Sequence, residues 1–327
     1  MSLAALGRQA APETIPECPF PPYAYYEDLS AEALDRYFRG ALERTRARPG
    51  VRRWTLGRRG LALGLVELEP LEFDSRALVR PAARLNWLLA AGDYLAAVER
   101  KGQLLDWALE EARRRGIEHL TSRAAADDLS SLHALQSRGF EILDGMATFS
   151  RAPAPAPEPE ANGWRARAAG AADLAELRRI AESSFRHDRY HADPAIESRL
   201  ADRLHGEWVE NSLRGFADAV LVVEDQDGLA GFTTLKIDPE AERWLGISIA
   251  SIVLVATRGG KRGRGAGRRL TGAALDWCRQ HHIARVEVGT QWSNGAACRL
   301  YASAGFRFAH ASVSLRWIGS AKSEQRP

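Results

Sequence analysis

The chain has 327 residues, 45% of them hydrophobic and 27% charged, which is room for two domains of ordinary size. Its 45 basic residues face 42 acidic ones for a formal charge of +3, too balanced for a protein that lives on nucleic acid. No apolar run approaches the roughly 20 residues of a membrane span. The three cysteines form no CxxC pair, which argues against a disulfide framework or zinc site and for a reducing cytoplasm.

In chain order, the N-terminus offers no apolar core long enough for a secretory signal, and Ser30 to Leu42 reads as a capped helix within an otherwise irregular extension, 1–60. Residues 105–120, LDWALEEARRRGIEHL, read as the end of an amphipathic helix, a turn and a strand. Residues 126–143 then read as a loop, a helix stopped at Gly139 and a second strand. Residues 152–160, APAPAPEPE, have proline at every second position, which neither a helix nor a sheet ladder tolerates. This predicts an N-terminal domain over 1–151, a linker over 152–161 and a second domain over 162–327.

The second half repeats the first. LDWCRQHHIARVEV (275–288) answers 105–120, and WSNGAACRLYASAGFRFA (292–309) answers 126–143, with Gly305-Phe306 opposite Gly139-Phe140. The order helix–strand–helix–Gly-Phe–strand, found twice, predicts a duplicated α/β module. The copies differ between their strand and helix. Where the second has R-G-R-G-A-G (262–267), the first has GDYLAA, and Tyr301 and Asn294 fall opposite Leu135 and Asp128.

The stretch GGKRGRGAGRRL (259–270) has two readings. Arg-Gly alternation also marks disordered RNA-binding tails, but such a tail continues as polar low-complexity sequence. Here a β-branched run, ISIASIVLVAT (247–257), precedes it, and Leu270, Ala274, Trp277 and Cys278 fall on one helical face after it. A Gly-rich turn between strand and helix offers unpaired first-turn amides and the positive end of the helix dipole to an anion. Arg262, Arg264 and Arg268 would add charge-assisted contacts. No GK[ST] is present for a Walker loop, whereas a dinucleotide site would find its acidic residue in Glu287.

Arg262-x-x-Gly265-x-Gly267, followed by Asn294 and by Leu300-Tyr301 ahead of Gly305-Phe306, resembles the acyl-CoA site of the GNAT superfamily of N-acetyltransferases. The resemblance implies an α/β (α+β) fold of tandem modules, each a mixed sheet flanked by helices, the first degenerate. It also implies acetyl-CoA as co-substrate. The pantetheine arm would lie along the backbone of Leu254 and Val255, the pyrophosphate on Arg262, Gly263, Arg264, Gly265, Ala266 and Gly267. Asn294 would contact the arm and Tyr301 would be the general acid. Within the family, SSFRHDRYHADP (183–194) and GEWVENSLRGF (206–216) are most similar to enzymes that acetylate the amine of a dTDP-linked amino sugar. That places Arg189, Tyr190, His191 and Trp208 on the acceptor side, with the small-molecule amine as partner, no nucleic acid or membrane, and a homodimer.

Other readings remain for the same residues. Tyr301 is also what a core aromatic at a helix end looks like, and Asn294 what a helix cap looks like. Two histidines four apart beside Asp188 invite a zinc site, although a mixed-charge loop face is commoner and no metal is expected. The base for the amine is open between Glu210, Glu287 and water. A protein or other small amine as acceptor, or a non-catalytic acyl-CoA sensor, are the competing functions.

Overall fold

The computed structural model describes residues 15–58, 61–154 and 163–319; most of the Pro/Ala linker lies outside the described residues. Ser30 caps α1 (Ala31–Arg46), its Oγ accepting from the Ala33 amide at 3.2 Å. There follow β1 (Arg52–Arg58), β2 (Leu61–Pro70), α2 (Glu72–Leu78), β3 (Ala82–Ala90), α3 (Tyr94–Arg114), β4 (His119–Ala125), α4 (Leu129–Ser137) and β5 (Glu141–Arg151).

Two compact units form, and they cut the chain at other places than the linker. Of the described residues, the first takes those before Tyr25, those from Phe38 to Leu143 and those from Ser312 onward; the second takes those from Tyr25 to Tyr37 and from Asp144 to Ala311. In the first unit the sheet runs β1, β2, β3, β4 and then residues 312–318, which pair antiparallel with β4. The β3/β4 pair is parallel, with α3 as part of its crossover. Leu104, Leu105, Ala108, Leu109 and Ala112 recur on one face of α3 and pack on Val66, Leu68, Leu85, Leu120 and Leu315. Each such leucine, taken fully out of water, stabilises by roughly 1.5–3 kcal/mol.

The second unit comprises β6 (Arg165–Ala168), α5 (Leu174–Ser184), α6 (Arg189–Ala192), α7 (Ser198–Asn211), β7 (Ala219–Asp225), β8 (Gly228–Ile237), α8 (Ala241–Leu245), β9 (Ile249–Thr257), α9 (Ala266–Gln280), β10 (Arg285–Gln291), α10 (Gly295–Ser303) and β11 (Arg307–Ile318), whose last residues serve the first unit. Its sheet order is β5, β10, β9, β8, β7, β6, with β9 and β10 parallel and the other neighbours antiparallel. The repeat is real at the level of turns: Gly139 and Gly305, at φ +81° and +83°, end α4 and α10 in the left-handed conformation that a side chain resists.

One irregularity in β9 shapes the second unit. Thr234 of β8 pairs with Leu254 and Leu235 with Ile252, so Val253 is an extra residue, a β-bulge. An unbulged strand would turn residues 252, 254 and 256 to one face. Instead Ile252 packs with Ala274 and Leu275 of α9, while Leu254 and Ala256 pack with Leu177 and Ile180 of α5 and Val209 of α7. Val255 is thereby turned to the cluster that holds Tyr301. The pairing of β9 with β10 ends at the same place, at Ile252 and Val288; β10 continues along β5, so the two parallel strands part from Val253 onward.

Candidate active site

Where the strands part, a cavity of about 1140 Å³ opens, walled by residues 252–257 of β9, 288–291 of β10, the loop before α9, and α10. The loop is held from several sides. Lys261 Nζ reaches Asp225 and Asp227 at 2.7 and 2.6 Å, Trp164 Nε1 donates to the Arg264 carbonyl at 3.0 Å, and Arg262 donates to the Ser184 carbonyl at 3.1 Å. Gly263 and Gly265 take φ values of +75° and +92°, so a larger residue at either would be strained.

Gly265 is the N-cap of α9 and brings no side chain to it; the first intrahelical bond there runs from Arg269 to the Gly265 carbonyl. The amides of Ala266, Gly267 and Arg268 therefore head the helix without internal partners, at the positive end of its dipole. Gly267 serves packing as well: a Cβ there would stand 3.2 Å from Leu300 Cδ2. Arg262, Gly263, Arg264, Gly265, Gly267 and Arg268 all line the cavity, while Ala266 is buried beneath it.

The first unit answers each of these features differently. Asp93 caps α3 and its own carboxylate accepts from the Ala96 amide at 2.9 Å, so an anion already sits at that helix end. Behind it, buried Lys101 holds Asp128, Ser130 and Ser131 at 3.0, 2.7 and 2.7 Å. Asp128 and Asn294 are both N-caps, of α4 and α10, and Asn294 borders the cavity. Asn294 Oδ1 accepts from the Ala297 amide at 3.2 Å.

Tyr301, on α10, is 4% exposed and lines the cavity, its ring 6.3 Å from that of Phe149 and 6.0 Å from that of Phe306. Burial pushes its phenol above the ordinary tyrosine value. Leu254 and Val255 also line the cavity; the Leu254 amide donates to Thr234 Oγ1 at 3.1 Å.

Of the four residues expected on the acceptor side, Trp208 lines the cavity. Arg189, Tyr190 and His191 do not: they form α6, with Tyr190 buried beneath the Arg189 guanidinium and His191 held between Asp188 and Asp202 at 2.6 and 3.0 Å. The wall there is made instead by Arg186, His187, Asp188 and, from α7, His205. His205 gives little sign of this in sequence, since one histidine on an amphipathic helix reads as core. Neither candidate carboxylate borders the cavity. Glu210 is paired with Arg178 and Arg214 at 2.5 and 2.6 Å. Glu287 accepts from Tyr25 and Tyr26 at 2.7 and 2.8 Å, and burial raises its carboxyl above the usual range.

Residues 174–306 match the model of the acetyltransferase (GNAT) family. The dTDP-fucosamine acetyltransferase of Escherichia coli O6:H1 is 29% identical over 199 residues, 60% of this chain and 79% of that protein. Among solved structures, a GCN5-related N-acetyltransferase from Sphaerobacter thermophilus is similar in fold, with a TM-score of 0.54 at 17% identity over 79% of this chain and 78% of that one. A tandem GNAT protein from the clavulanic acid biosynthesis pathway reaches 0.53 at 16% identity, over 84% and 86% of the two chains. The parted strands, the open helix end and the stretch that is similar to the acetyltransferase (GNAT) family, residues 174–306, all fall in the same unit.

Proposed function

We propose that the protein transfers an acetyl group from acetyl-CoA to the amine of a nucleotide-linked amino sugar, with Tyr301 as general acid. The observation that carries the reading is the uncapped amino end of α9 opening on the same cavity as Tyr301 and the bulged strand. The amides of residues 266–268 and the neighbouring arginines fit a pyrophosphate, and the edge of β9 left by β10 fits the amide-bearing arm of a CoA thioester. The co-substrate supplies an acyl carbon already activated as a thioester. An amide of β9 near Val255 would bind the carbonyl oxygen as negative charge develops on it, and the Tyr301 hydroxyl would protonate the departing sulfur.

The sugar-nucleotide acceptor is supported by the name of the E. coli relative and by the lining charges, where arginine and lysine outnumber the lone acid Asp188. A thermal-shift panel tests both parts, since a ligand of the native state raises the melting point by mass action. Acetyl-CoA and dTDP-4-amino-4,6-dideoxy sugars should each stabilise the chain and together give an N-acetyl product. Turnover of peptide amines with no response to sugar nucleotides would replace the acceptor. Stabilisation by acetyl-CoA without turnover of any amine would make the chain a sensor.

A further inference from the structure

The proposed acid step leaves Asp188 and His205 of the cavity wall unused. His205 is 2% exposed, yet it borders the cavity with Phe185 and Trp208, whose rings lie 4.3 and 6.1 Å from its own in stacked orientation. Its Nδ1 donates to the Ala201 carbonyl at 2.8 Å. That bond fixes the tautomer and leaves Nε2 as a lone pair. Nε2 stands 3.8 Å from Asp188 Oδ2, too far for a hydrogen bond between them. One nitrogen about 2.8 Å from each would bridge the gap. A primary ammonium has the charge and the donors for that place.

We infer that Asp188 and His205 receive the acceptor amine as its ammonium, and that His205 Nε2 takes the proton that frees its lone pair. The assignment rests on the acetyl-transfer reading above. The protons balance. The ammonium gives one proton to His205 and the nitrogen then bonds to the acyl carbon; the C–S bond breaks, and Tyr301 protonates the thiolate. The nitrogen sheds a second proton, which restores Tyr301 by way of water, and keeps one as the amide hydrogen. The proton on His205 is the one released to solvent.

The surroundings suit the role. Burial, the largest influence, holds His205 below the ordinary histidine value, so it enters the cycle neutral. Asp188 opposes burial and stabilises the imidazolium once it forms. The other groups facing the ring are His191 from α6, which disfavours a second charge, and Asp202 from its own helix, which favours it. From α5, Glu182 lies over the adjacent Gly206 and bonds to Arg178. Burial disfavours a charge on His191 too, but its bonds to Asp188 and Asp202 outweigh this and raise its pKa. The two carboxylates thus favour the charged form of His191, which makes it a poorer proton acceptor than His205. The other carboxylates considered for the base, Glu210 and Glu287, are engaged away from the cavity.

The test uses the full chain with acetyl-CoA and a dTDP-4-amino-4,6-dideoxy sugar. His205→Gln should lower kcat by about 10²- to 10⁴-fold, leave the KM for acetyl-CoA unchanged and abolish the acidic limb of the kcat/KM profile. Asp188→Asn should raise the acceptor KM more than it lowers kcat. In the wild-type chain, ¹⁵N NMR should find Nε2 of His205 unprotonated at neutral pH, a readout that needs no acceptor and no variant that folds. If the sugar fails and a UDP-amino sugar or peptide amine turns over, the substrate reading falls, and the same variants test His205 on that amine. Near-normal kcat with an intact acidic limb in His205→Gln would overturn the inference, as would a protonated Nε2. Activity lost on chelation and restored by Zn²⁺ would also overturn it, because Asp188, His191 and His205 would then be metal ligands.

Discussion

At the scale of single residues, the cavity separates groups by what burial does to them. As the proposed general acid, Tyr301 must carry its proton, and activity that depends on it persists below its pKa and fades as pH rises through it. A free phenol titrates near 10, but burial moves this one higher. Wild-type activity should therefore persist past pH 10 as far as Tyr301 decides it, rather than fading there. Tyr301→Phe keeps the ring between Phe149 and Phe306 and removes only the proton donor. We expect kcat to fall by about 10²- to 10⁴-fold with little change in acetyl-CoA affinity; a lowered melting temperature with near-normal kcat would make it a packing residue. The places of Tyr301 and Asn294 on the cavity wall are legible in the sequence because each stands at a fixed offset from Gly305-Phe306. His205 and Asp188 are not, since their meaning comes from a 3.8 Å gap between two elements. Glu287 shows the reverse: a plausible carboxylate on the right strand, it is taken up by two tyrosines of the N-terminal segment.

At the scale of elements, the amino end of α9 and the bulge in β9 set the geometry. The helix end was readable, because a glycine-rich turn between a β-branched run and an amphipathic run has few other uses. Its test is Gly265→Val. A β-branched side chain at φ +92° costs on the order of 1–3 kcal/mol and stands at the mouth of the open amides. We expect the fold to survive with a lower melting point, and calorimetry to find no acetyl-CoA binding; unchanged affinity would remove the helix end from the site. The bulge was not readable. ISIASIVLVAT alternates well enough to pass for a regular strand, and the extra residue is visible only against the register of β8. Without it, Val255 would face α5 and α7 rather than the Tyr301 cluster.

At the scale of the whole molecule, duplication was legible and the allotment of strands was not. Each unit is completed by a strand from the other half of the sequence: residues 146–151 pair with β10, and residues 312–318 pair with β4. Both strands follow a Gly-Phe stop and carry similar apolar patterns, so nothing local says which sheet each joins. The partition predicts that removing residues 312–327 harms the first unit, although the cut lies in the second repeat. Proteolysis and hydrogen exchange should report lost protection in β4 and α3, whose cluster includes Val313, Leu315 and Trp317. A truncated chain with β4 protected as before would show that the C-terminal strand is dispensable there.

That allotment also bears on how the chain is made. A ribosome delivers residues in order, yet the strand that finishes the first unit emerges long after the rest of that unit. Between Leu143 and Ser312 the nascent chain must grow for on the order of 10–30 s at ordinary rates of synthesis. For that interval β4 presents a bare edge, the kind that invites pairing with other chains. The first half therefore cannot fold to completion as a finished piece until the strand that begins at Ser312 has been translated.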